Sequence, residues 1–179
     1  MHACAADDAI SWLVIGCSLG RGAADRWSDL DLTMGVSDED FDNPVTPQQV
    51  REWAFGAWCA VADLGKYLRR RSWWEALDRL AEARGQLWRL WAALLGVPNP
   101  QYGLTSILDF APERVPAAMA SAVSDLDPGR LLAAARSLAS QLTALGEHLP
   151  PDLREAIPAA MGRYVTSDLA DIAAAGRQA

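Results

Sequence analysis

The chain has 179 residues, of which 51% are hydrophobic and 22% charged, enough for a real core and the composition of a soluble globular protein. Sixteen Lys and Arg against 23 Asp and Glu leave a net charge of −7, which excludes the basic surface that nucleic-acid backbones require. The N-terminus carries acids where a signal peptide would be basic, and no apolar run approaches the roughly 20 residues of a membrane span. Cys4, Cys17 and Cys59 are scattered, odd in number and without a C-x-x-C spacing; they predict reduced thiols and a cytoplasmic protein.

Ile10 to Ile15 is an apolar run of the kind found in a covered strand. A glycine-rich turn follows, Gly16-Cys17-Ser18-Leu19-Gly20-Arg21-Gly22. After a short spacer, Leu30, Leu32, Met34 and Val36 alternate with Asp29, Asp31 and Thr33, the period-2 pattern of a strand with one polar face. Two residues apart on such a strand, Asp29 and Asp31 project from the same side. Gly20 and Gly22 permit close backbone approach to phosphates, Ser18 adds a hydroxyl and Arg21 a charge. A pair of carboxylates on one face suits Mg²⁺, which takes oxygen ligands from protein and phosphate together.

Residues 37–45 (SDEDFDNPV) form an acidic loop. Thr46-Pro47-Gln48-Gln49 is a helix start with a capping box, and the helix is expected to run to about Arg71. Ser72-Trp73-Trp74-Glu75 is read as a second capping box, opening a helix that ends near Leu95, where Gly96 stands at the C′ position. Asp127-Pro128 caps a further helix expected to end near Gly146. Weaker helical signals cover residues 113–124 and 152–163, and the Ala-rich tail from Ser167 is expected to fray. Trp53, Trp58, Trp73, Trp74, Trp88 and Trp91 fall at helical spacings and are assigned to the bundle core. The expected class is therefore α+β: a small mixed β-sheet core over residues 1–45 and a helical bundle lobe over 46–179.

The stretch Ser18-Leu19-Gly20-Arg21-Gly22-x-Ala24-Asp25-x-Trp27-Ser28-Asp29-Leu30-Asp31-Leu32 resembles the motif of the DNA-polymerase-beta-like nucleotidyltransferase superfamily, in its minimal and aminoglycoside-type branch. The helical part, including residues 66–70 (KYLRR) and 73–77 (WWEAL), is similar to the helical lobe of the same proteins. The resemblance implies that Asp29 and Asp31 are catalytic and bind Mg²⁺, and that Ser18, Gly20, Arg21 and Ser28 contact a nucleoside triphosphate. Lys66, the chain's only lysine, is the implied phosphate contact from the helical lobe. The implied reaction is transfer of AMP from ATP to a hydroxyl of a small molecule such as an aminoglycoside.

The family usually places glycine immediately before the motif serine, where this chain has Cys17. It also places a third carboxylate on a later strand, whereas here the chain passes from Val36 through the acidic loop directly to the Thr46 cap. The core is thus shortened, and Asp38, Glu39, Asp40 and Asp42 are the local candidates to complete a metal site. Glu52, Asp63 and Glu75 are the candidate general bases. Two alternatives stand beside the enzyme: a shortened homologue acting as a binding module, and an antitoxin-type protein that adenylylates a partner toxin. The open sheet edge left by the missing strands also favours a homodimer.

Overall fold

The computed structural model describes residues 45–175, together with the backbone of 10–15 and 32–36. The chain divides into two compact units, Met1–Pro44 and Val45–Ala179. In the first, β1 (Ile10–Ile15) and β2 (Leu32–Val36) pair antiparallel. Trp12 to Ile15 oppose Gly35 to Leu32 in strict register, and a bulge separates this run from the Ile10–Val36 pair.

The second unit is all helical. It contains α1 (Pro47–Arg70), α2 (Trp73–Leu95), α3 (Leu104–Phe110), α4 (Pro128–His148), α5 (Pro151–Arg154) and α6 (Ala159–Ala175). Short 3₁₀ segments lie at Pro100–Tyr102, Pro112–Arg114 and Ala117–Ala122. The expected α+β fold with a mixed β-sheet core is therefore incorrect. Among the described residues the strands amount to one antiparallel pair, and the folded body is an all-helical fold. Two strands alone are marginal as a core, and the apolar periodicity after residue 45 is helical throughout.

Helices α1 and α2 form an antiparallel hairpin in which Gly56 faces Gln86. Helix α4 packs on both, and α6 packs on α1 and α4. Their shared core includes Val61, Leu64, Leu80, Leu90, Leu131 and Leu138, each fully buried. Each such side chain contributes about 1.5–3 kcal/mol by leaving water.

Local chemistry explains most of the helix ends. Thr46 Oγ1 accepts from the Gln49 amide at 3.2 Å, while the Thr46 amide donates to Gln49 Oε1 at 2.9 Å. Thr46→Ala is expected to cost about 1 kcal/mol in urea unfolding. The other expected box, at Ser72, is absent: Ser72 makes no side-chain cap bond. The Glu75 half of the box is pre-empted by the preceding turn, where the Ser72 amide already donates to the Tyr67 carbonyl at 3.0 Å, leaving Glu75 no free N–H to accept. That turn holds Arg71 in the left-handed region at φ 58°, and Gly96 ends α2 in the same way at φ 64°.

Asp127 caps α4 by accepting from the Arg130 amide at 2.8 Å. The helix continues past Gly146 to His148 because Gly146 is buried beside Ile157, and Pro150 then forbids further helix. The helical signal at 113–124 resolves into two 3₁₀ segments around Pro116, and that at 152–163 into α5 and the start of α6, parted before Pro158. The tail is ordered helix to Ala175, held by buried Val165 and Leu169. Trp53 and Trp58 are core residues, but Trp74 is 68% exposed and is not.

Candidate functional site

The motif residues Ser18, Gly20, Arg21, Ser28, Asp29 and Asp31 lie outside the described residues, as do Cys17 and the acidic loop positions Asp38, Glu39, Asp40 and Asp42. What the structure describes of the motif is its frame. Ile15 and Leu32, the residues that bracket positions 16–31, are partners in the β1–β2 ladder.

Of the predicted site residues, Lys66 is described in full. It sits on α1 with its side chain 40% exposed. Its Nζ donates to Asp63 Oδ1 at 2.6 Å, one helical turn back, and lies 4.5 Å from the centroid of the Tyr67 ring. This ion pair is local and half-exposed, worth a few tenths of a kcal/mol by the usual i,i+3 standard, about 0.3–0.5. It joins one candidate base, Asp63, to the candidate phosphate ligand. Glu52 does not share the group: it accepts from Gln48 Nε2 at 3.0 Å and lies 14 residues from Lys66, about 21 Å along the helix axis. Glu75 is exposed at the start of α2.

Cys59 lies one turn before Asp63 on α1, within reach of the charge of Glu82 on α2. Burial, then the charges of Asp63 and Glu82, raise its thiol above the ordinary value of 9.0. A raised thiol is the protonated, poorly nucleophilic form at neutral pH. In a Cys4→Ser/Cys17→Ser chain, Cys59 is expected to react with a thiol reagent more slowly than free cysteine at pH 8. Because folding favours the protonated thiol, its contribution to stability is complete below pH 9 and is lost as pH rises through the folded value. Cys59→Ala should remove that alkaline decline.

Arg69, Arg70 and Arg71 are a basic run at the end of α1, a position favoured by the helix dipole. The structure adds a partner to the first of them. Arg69 binds Asp168 of α6 through both terminal nitrogens, at 2.9 and 2.6 Å, and this hydrogen bond is the main cause holding its guanidinium still more firmly protonated than usual. Nothing in the spacing foretold this pair, whose members lie 99 residues apart.

Among the described residues no group of three or more His, Cys, Asp or Glu side chains gathers into a metal-binding arrangement, and no helix is long and apolar enough to cross a membrane. No protein-family profile matches this sequence, and no curated protein or solved structure is significantly similar to it.

Proposed function

We propose that the chain is a minimal nucleotidyltransferase that moves a nucleoside monophosphate, AMP from ATP, to a hydroxyl of a small acceptor such as an aminoglycoside-like molecule. The observation that carries this reading is the motif from Ser18 to Leu32, which joins a phosphate-approaching glycine turn to two carboxylates in fifteen residues. The partnership of Ile15 with Leu32 supports it, because it tethers the two ends of that motif to one ladder.

In this reading the Gly20 and Gly22 backbone gives the triphosphate N–H donors at close range, and Ser18, Ser28 and Arg21 add polar and cationic contacts. Asp29 and Asp31 would hold Mg²⁺, whose chemistry is to offset triphosphate charge. The acceptor oxygen forms a bond to the α-phosphorus, the bond from that phosphorus to the β-bridging oxygen breaks, and pyrophosphate leaves. The hydroxyl proton passes to a carboxylate acting as general base.

A second reading has its own observation. In the sequence, the chain passes from Val36 through the acidic residues 37–45 to the Thr46 cap without an alternating apolar run to carry a third carboxylate. This favours a shortened homologue that binds nucleotide or a protein partner without turnover. Calorimetric titration with ATP and Mg²⁺ tests both readings against a chain without nucleotide function. Saturable, Mg²⁺-dependent binding is expected, and its absence would overturn the enzyme and leave only a protein-binding module.

A further inference from the structure

A groove of about 800 Å³ opens on the helical unit between α4, α6 and the connection that joins them. Its size falls within the roughly 300–1,000 Å³ usual for small-molecule sites. Trp58 of α1, Leu142 of α4 and Ile157 supply its apolar lining. Gly162 lets the indole lie against α6: a Cβ there would stand 2.9 Å from Trp58 Cζ2 and 3.3 Å from Cε2, the carbon bonded to Nε1.

Trp58 is 2% exposed. Among the described residues, the indole N–H that has an acceptor is that of Trp91, which donates to the Arg114 carbonyl at 3.2 Å; Trp58 Nε1 has none. Yet no fully enclosed side-chain nitrogen or oxygen among those residues lacks a partner. The Trp58 N–H must therefore lie in the sliver of the ring that stays accessible, and Trp58 lines the groove. A nearly buried donor left without an acceptor is costly unless a ligand or water supplies one.

The polar lining carries Arg154 and Arg163 against a single carboxylate, Glu147. Arg154 is anchored, donating to the Leu149 carbonyl at 3.0 Å. Arg163 adjoins Gly162, beside the indole, and forms no ion pair among the described residues. A donor and a guanidinium that both line one apolar trough, neither with a partner among the described residues, suit one ligand chemistry. We propose that this groove binds a small organic carboxylate with an apolar body, its carboxylate taken by Trp58 Nε1–H and Arg163 and its hydrocarbon held against Trp58, Leu142 and Ile157. The site is independent of nucleotidyl transfer.

The test is a titration of the full chain with sodium dodecanoate, following the Trp58 indole ¹H–¹⁵N signal, which is assigned by its loss in Trp58→Phe. A saturable shift is expected. Arg163→Gln should weaken binding about tenfold, as should replacing dodecanoate by uncharged 1-dodecanol. Ala170→Trp, which fills an exposed position of the groove, should abolish the shift while leaving the helical circular dichroism unchanged. No saturable shift up to about 1 mM, or one that survives Ala170→Trp, would overturn the site. Equal affinity for the acid and the alcohol would overturn the carboxylate assignment.

Discussion

Alanine in place of Trp58 is expected to lower the free energy of unfolding by about 3–5 kcal/mol, read from the urea midpoint at unchanged m-value. The indole is 2% exposed and belongs to the core cluster shared by the long helices. Its removal leaves a cavity between α1 and α6, whose spacing is also set by other contacts such as the Arg69–Asp168 pair. Gly162→Ala probes the same contact from the opposite side. Its added methyl would meet Trp58 Cζ2 at 2.9 Å, so the ring or the helix must shift, at a cost of about 1–3 kcal/mol. Trp74, 68% exposed, is the control, and Trp74→Ala should stay within about 0.5 kcal/mol of the parent. A Trp58→Ala loss below about 1 kcal/mol would contradict the packing described.

The second large effect concerns function. Asp29→Asn/Asp31→Asn keeps the shape of both side chains and removes two charges. In the proposed mechanism it should reduce nucleotidyl transfer by at least about a thousandfold, equivalent to roughly 4 kcal/mol of transition-state stabilisation. The helical unit has its own core, built from residues of α1, α2, α4 and α6, so its cooperative unfolding should change by no more than about 0.5 kcal/mol. A double variant that retains transfer would remove these carboxylates from the mechanism.

What was legible in the chain was legible because it was local. The Thr46-Pro47-Gln49 start, the Gly96 stop and the Asp127 cap each rest on residues within one turn, and each stands where the spacing placed it. The Ser72 box had the right letters, but the N–H it needed was spent in closing α1. Arg71 took a left-handed conformation usually left to glycine, which no propensity announces.

Long-range partners were hidden for the same reason. Arg69 with Asp168, and Trp58 with Gly162, join α1 to α6 across about a hundred residues of chain, and these contacts keep the Ala-rich tail helical where composition suggested fraying. The α+β expectation fails because the strands of the first 36 residues do not set the class of a chain whose core after residue 45 is helical. In the candidate site, the resemblance and its standing as the only lysine point to Lys66, while its pairing with Asp63 one turn away emerges from the helix.

The central claim, nucleotidyl transfer, is tested most directly by following label from ATP in the presence of Mg²⁺ and a panel of hydroxylated acceptors. With the α-phosphorus labelled, the account predicts label on an acceptor; with the γ-phosphorus labelled, it predicts label only in released pyrophosphate. Label from the γ-position on an acceptor, or from neither position, would contradict it.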